Sequence, residues 1–144
     1  MRPEEPVARA GAGPGIGPGV FVAVAGPSGA GKDTLINYAR AQLADNSDFV
    51  FVRRVITRQP DRTSEDHDML APDDFAAALA GNRFAMVWEA HGLQYGLPAS
   101  IDADIAAGKV VIANISRGII DDLADRFANL ALVVVSAHAH VIAQ

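Results

Sequence analysis

The clearest chemical signal lies between Gly26 and Thr34, where the chain reads GPSGAGKDT: Gly26, Pro27, Ser28, Gly29, Ala30, Gly31, Lys32, Asp33, Thr34. Gly26, Gly31 and Lys32 meet the spacing G-x-x-x-x-G-K of a phosphate cradle. Glycines let backbone N–H groups converge on an anion, and a lysine at this spacing reaches the β- and γ-phosphates of a nucleoside triphosphate. A helix opening just after the loop adds the partial positive charge of its N-terminus. The slot after the lysine is unusual. Ser or Thr there supplies a hydroxyl to Mg²⁺, whereas this chain carries Asp33. A carboxylate beside phosphates is repelled unless a cation lies between them, and Mg²⁺ accepts carboxylate oxygens directly or through water. The loop therefore predicts ATP and Mg²⁺ as ligands, with Asp33 facing the metal and Thr34 offering its hydroxyl to a phosphate; the alternative for Asp33 is a favourable charge in the first turn of the helix.

The elements needed to position such a loop are present on both sides. VFVAVA (Val20–Ala25) is a short β-branched run suited to a buried parallel strand. After the loop, Leu35, Ile36, Ala39 and Leu43 fall on one face of a helix predicted from Asp33 to Ala44. FVFVRRVI (49–56) reads as one strand, residues 57–71 as a polar loop, and PDDFAAALAG as a short helix with Pro72 in its first turn and Gly81 as its stop. RFAMVWEAH (83–91) reads as a strand, GLQYG (92–96) as a turn, and Pro98 to Gly108 as a helix. KVVIANI (109–115) is a buried strand. Ile119, Ile120, Leu123 and Phe127 make the apolar face of a further helix, and LALVVVS (130–136) is the last strand. Strands alternating with helices imply βαβ units and an α/β fold with a parallel sheet covered on both faces; with the G-x-x-x-x-G-K loop after its first strand, the expected fold is a P-loop NTPase three-layer sandwich.

Bulk properties narrow the function. The 144-residue chain is one domain by length, with half its residues hydrophobic. Its net charge of −5 argues against a basic nucleic-acid-binding face. The absence of cysteine excludes disulfides and thiolate zinc sites and suits a cytoplasmic location. No apolar run reaches the roughly 18 residues that span a bilayer. Residues 1–18, with glycine alternating at positions 11, 13, 15 and 17, are predicted to be a disordered tail, and 19–144 the folded domain. His138 and His140 lack a third ligand nearby, and Asp121, Asp122 and Asp125 read as a solvated helix face. The last residues, AHAHVIAQ, read as the first turn of a helix, so further elements are expected to be missing after Gln144.

From Val20 onward the chain resembles the guanylate-kinase-like P-loop kinases, and among them most closely the ribose 1,5-bisphosphate phosphokinases. The resemblance rests on GPSGAGKDTL, RRVITR (53–58), EDH (65–67), WEAHGLQYGLP (88–98) and VIANISRG (111–118). It implies an acceptor-binding lobe over about residues 57–97. Thr57 and Arg58 match a pair that holds the acceptor's phosphate, and Tyr95 matches a phosphate-contacting tyrosine. His67, His91, Asn114 and Arg117 are the further acceptor-side candidates. Lys32, Asp33 and Arg58 are the expected catalytic residues. Where guanylate kinases read the base, the resemblance places Met86 and Leu97. The second phosphate arginine falls at Asp61, with Arg62 beside it, and two strand-end acids become Asn114 and Ser116. Phosphate recognition is thus partly kept while purine recognition is lost.

The resemblance implies ATP-dependent phosphorylation of ribose 1,5-bisphosphate to 5-phosphoribosyl 1-pyrophosphate. The alternatives are a guanylate or other nucleoside monophosphate kinase, and an ATP- or phosphate-binding module with weak turnover because the family's lid is missing. The expected partners are small molecules, ATP and a sugar phosphate. Neither nucleic acid nor a membrane is expected.

Overall fold

The structure, a computed structural model, describes residues 15–27, 31–57 and 67–136. Two sheets organise these residues. The first is fully parallel in the order β2 (Phe49–Phe51), β7 (Val110–Asn114), β1 (Val20–Ala25), β8 (Leu130–Val134). The second is mixed, in the order β4 (His67–Leu70), β3 (Arg54–Thr57), β6 (Leu93–Pro98), β5 (Phe84–Ala90). The helices are α1 (Lys32–Gln42), α2 (Pro72–Ala80), α3 (Ser100–Ala106) and α4 (Ile120–Arg126). The α/β expectation holds, with β1 central in the parallel sheet.

Alternation along β1 explains where the core sits. Phe21, Ala23 and Ala25 are fully buried in one cluster with Val111 and Ala113 of β7, Ile101 and Ile105 of α3, and Leu123 of α4. Phe127 stacks on Phe21 with ring centroids 5.2 Å apart. An amphipathic stripe on α3 and α4 thus covers a sheet face of small and branched side chains.

Several sequence expectations are corrected. FVFVRRVI is two strands: β2 ends in the parallel sheet, Val52 donates its N–H to Ile112 O at 2.9 Å, and β3 begins the second sheet at Arg54. The expected polar loop over 57–71 contains β4, paired in parallel with β3. The expected turn GLQYG is instead part of β6, and the turn is the two residues before it. His91 (φ 55°) and Gly92 (φ 76°) join Ala90 to its partner Leu93, which is the geometry of a two-residue type I′ hairpin. Pro98 ends β6 rather than opening α3. On α1 the expected apolar face is only partly buried, with Ala39 and Leu43 half-buried. Ile36 is buried, but Leu35, about 100° round the helix from it, is 44% exposed.

Residues 15–18 were expected in the tail, yet they are paired. Ile16 donates to Arg126 O and accepts from Ala128 N, both at 2.9 Å, in a parallel bridge with Phe127. The remainder of the expected tail and the two histidines near the C-terminus lie outside the described residues.

Candidate functional site

The parallel register brings the ends of β1, β7 and β8 to one edge of the sheet. Val24 pairs with Asn114 and Ala25 with Val134. The ladder continues past the strands, with Ile115 N–H on Val24 O at 3.0 Å and Val135 N–H on Ala25 O at 2.9 Å. This carboxyl edge is where open α/β sheets bind ligands, and the phosphate loop leaves β1 here. The crowding dictates Gly26. A β-carbon on it would lie 2.2 Å from the carbonyl oxygen of Val135, and its φ of 146° is foreign to other L-residues. Gly31, with φ 95°, caps α1 through Leu35 N–H to its carbonyl at 2.9 Å.

Lys32 Nζ donates to Gly26 O at 2.9 Å, so the lysine folds back across the loop it follows. Pro27, Asp33 and Thr34 are exposed. Ser28, Gly29 and Ala30 lie outside the described residues, as does Arg58. From β7, Asn114 reaches the first turn of α1, where its Nδ2 donates to Asp33 Oδ1 at 3.4 Å. Asn114 is only 8% exposed, and its Oδ1 is buried with no hydrogen-bond partner among the described residues. An unpaired buried acceptor is costly, and it sits beside a solvent-facing carboxylate at a helix N-terminus. A hydrated Mg²⁺ fits this donor set, because Mg²⁺ binds through one or two carboxylates and keeps several waters that can donate to a carbonyl.

The second sheet overlaps the span 57–97 in which an acceptor-binding lobe was expected, and it begins earlier, at Arg54. Trp88 joins it to the parallel sheet: its Nε1 donates to Ser116 Oγ at 2.9 Å. On the other side of the pair, Trp88 stacks on Tyr95 at 5.4 Å and 9°, and the Arg54 guanidinium lies 5.4 Å from the Tyr95 ring centroid. Arg54, Tyr95 and Trp88 therefore form one layered stack, a cation–π contact over an aromatic pair. In the sequence Arg54 stands out only as part of RRVITR, because its contact partner Tyr95 is 41 positions away. Arg53 pairs with Asp68 at 2.9 Å and fastens β4 to the start of β3.

The expected acceptor residues divide between the two ends of this lobe. Thr57 is buried, and its Oγ1 accepts from Gln94 N–H at 2.8 Å and donates to Gln94 O at 3.4 Å, so the hydroxyl locks β3 to β6. His91 lies at the same end as Thr57, exposed at the hairpin tip, three residues or about 10 Å beyond Trp88. His67 opens β4 opposite Arg54, at the end nearer the parallel sheet, and its side chain lies outside the described residues. The two histidines are thus not brought together. Arg117 is exposed in a short 3₁₀ turn (Arg117–Ile119) directly after Ser116. Leu97 is fully buried in the main core and Met86 packs against it, so neither position offers a polar group to a base.

Away from the site, Arg126 forms a two-pronged pair with Asp102 at 3.0 and 2.5 Å. The hydrogen bond to Asp102 raises the guanidinium's pKa against the opposing effect of burial. Among the described residues no helix is long and apolar enough to cross a membrane, and no cluster of three His, Cys, Asp or Glu side chains forms a ready-made metal site.

No family model matches the chain. Curated relatives do. The chain is 52% identical over 126 residues to ribose 1,5-bisphosphate phosphokinase PhnN of Brucella melitensis, covering 88% of this chain and 66% of the relative. It is 51% identical to the protein of that name from Rhodopseudomonas palustris, over 89% and 66% of the two chains. It is also 48% identical to the bifunctional ribose 1,5-bisphosphokinase-thymidine phosphorylase of Azorhizobium caulinodans, over 90% of this chain and 19% of that one. The chain therefore spans about two thirds of the length of the single-function relatives. Among solved structures, guanylate kinase from Anaplasma phagocytophilum superposes with a TM-score of 0.61 at 16% identity, covering 81% of this chain and 59% of that one, which shows a guanylate-kinase-like fold.

Proposed function

Because the chain belongs to the ribose 1,5-bisphosphate phosphokinase family, we propose that the protein it represents transfers the γ-phosphoryl group of ATP to the 1-phosphate of ribose 1,5-bisphosphate, forming 5-phosphoribosyl 1-pyrophosphate and ADP. The observation that carries this reading is the pairing of an intact phosphate loop with a lobe that lacks base-reading groups. Gly26, Gly31 and Lys32 stand at the cradle spacing, with Lys32 folded onto Gly26 O, whereas Leu97 and Met86, the positions that the resemblance puts at the base, are packed into the core. An acceptor recognised by phosphates and sugar rather than by a base suits such a lobe.

The chemistry asks little of the protein beyond placement. An oxygen of the acceptor phosphate attacks the γ-phosphorus, and the bond from that phosphorus to the β,γ-bridging oxygen breaks, so its electrons leave with ADP. The attacking oxygen is already ionised and needs no general base, so rate comes from alignment and charge neutralisation. Lys32 would exchange Gly26 O for the β- and γ-phosphates. Thr34 would offer its hydroxyl to a phosphate, and Asp33 would face Mg²⁺, which when bound neutralises phosphate charge. On the acceptor side Arg58 would grip a phosphate with its planar fork, with Tyr95 and Arg117 as further candidate contacts; the Thr57 hydroxyl is already engaged by Gln94, and His67 and His91 stand at opposite ends of the lobe, so at most one of them would join. A small, highly charged substrate pair is consistent with a cytoplasmic enzyme that needs neither nucleic acid nor a membrane.

The test is a coupled assay of ADP release with ribose 1,5-bisphosphate and, separately, with guanylate. Turnover with the sugar bisphosphate alone is the expected result. Turnover with guanylate alone would replace the acceptor assignment, and ATP binding without turnover on either would leave a binding module.

A further inference from the structure

We infer that Asp33 and Asn114 form a single cation-directed pair in which the usual division between loop and strand is exchanged: the carboxylate sits on the loop and a neutral amide at the strand end. The inference rests on the reading that the loop holds a magnesium–nucleotide complex. In P-loop enzymes the cation is held by a Ser or Thr hydroxyl on the loop and a carboxylate from a strand end. Here the loop slot after Lys32 is Asp33, and the polar residue at the end of β7, next to β1, is Asn114. The two lie 81 positions apart in sequence and touch at 3.4 Å. One negative charge is kept, but it has moved across the contact.

The orientation of the amide supports this assignment. Turned the other way, Asn114 would set its oxygen against the Asp33 carboxylate, acceptor against acceptor. With Nδ2 toward Asp33, the buried Oδ1 is left without a donor among the described residues. Water held by a cation supplies such a donor. Asn114 is then a positioning residue: it fixes the Asp33 carboxylate from the strand side and offers its own oxygen to the cation's hydration shell. An aspartate at this position would put two carboxylates in contact, which explains why the strand end is neutral once the loop is acidic.

The experiment compares the parent with Asp33→Ser, Asn114→Asp and the double variant. The readout is the Mg²⁺ enhancement of nucleotide affinity, measured by calorimetry with non-hydrolysable ATP with and without the metal, after thermal melts have verified folding. Asp33→Ser is expected to lower the enhancement about tenfold, and Asn114→Asp to raise it, each by the size of a coupling between contacting groups. The double variant, again with one carboxylate, should return to within about threefold of the parent. A double variant that stays at the Asp33→Ser level overturns the exchange. So does a parent whose nucleotide affinity ignores Mg²⁺, an outcome that leaves the kinase reading standing. A parent that binds no nucleotide removes the kinase reading itself. Should Asn114→Asp fail to fold, Asn114→Ser takes its place. It should lower the enhancement in the parent and change nothing further in Asp33→Ser, and an equal loss in both backgrounds overturns the pair.

Discussion

Gly96→Ala is a sharp probe of the lobe, because it disturbs the second sheet without touching the phosphate loop. A β-carbon on Gly96 would lie 2.7 Å from Cδ1 and Cε1 of Phe84 and 3.1 Å from its Cγ. Ordinary contact begins near 3.4 Å, so the ring must retreat by roughly 0.7 Å or more. It has nowhere to go, because its other side stacks on the fully buried Phe75 of α2 at a centroid distance of 4.7 Å. Overpacking of this kind costs about 1–3 kcal/mol, and a disturbed aromatic pair adds about 0.5–1.5 kcal/mol. The stiffer unfolded chain returns about 0.4–1 kcal/mol. The net loss is about 0.5–4 kcal/mol, or roughly 2–12 °C in melting temperature for a chain of this size. Thermal melts by circular dichroism read the loss. Hydrogen exchange should place the opening in β5, β6 and α2, and ATP affinity should stay within about twofold, as for a distant, independent site. Shrinking the ring with Phe84→Leu should recover part of the loss in Gly96→Ala. A variant that melts within about 1 °C of the parent would refute the steric reasoning, since even the smallest net cost exceeds that.

Three further outcomes follow from the geometry. Lys32→Met removes the charge that folds over Gly26 O and should weaken ATP binding about 10–100-fold, the worth of one or two charge-assisted hydrogen bonds, with little change in melting temperature; calorimetry reads both. Trp88→Phe keeps a ring against Tyr95 but loses the bond to Ser116. It should cost about 1 kcal/mol in denaturant unfolding, and Ser116→Ala should add nothing further to it. Asp102→Ala should cost about 1 kcal/mol, because the pair is partly exposed. Arg126 has its pKa raised by folding, so the pair's contribution is complete below the unfolded arginine's pKa and fades only above it. The melting difference should therefore stay constant from about pH 6 to pH 9, and a difference that shrinks over that range would contradict the assignment.

The phosphate loop was legible because its signal is local: glycines and a lysine at fixed spacing, with a branched strand before and a helix after. The parallel sheet followed from the same alternation. The second sheet was harder, for reasons particular residues make plain. FVFVRRVI is apolar on both sides of its two arginines and so reads as one strand; pairing with other strands shows that it breaks at Val52 and Arg53, and the two arginines were the available hint. β4 is four residues long, too short for a period to register. In LQYGLP the glycine looked like punctuation, while its actual work is to leave room for the Phe84 ring. Gly15 to Pro18 look like linker by composition but lie against Arg126–Ala128. Asn114 was singled out by its slot. Its contact with Asp33 could not be read from spacing, since 81 positions separate them.

The break at Val52 and Arg53 has a counterpart where β6 leaves the lobe at Leu97 and Pro98. Val52 and Leu97 are both buried in the main core, and just beyond them Val55 pairs with Gly96. The lobe's two junctions are therefore neighbours, which makes it an insertion in the topological sense, a module plugged into one site of the parallel sheet. Such a module can be lengthened, shortened or exchanged without rethreading the strands that hold the phosphate loop. On the proposed function, acceptor preference could then diversify while the sheet behind the phosphate loop stays as it is, and a chimera carrying residues 54–96 from a relative is the direct test of that separation.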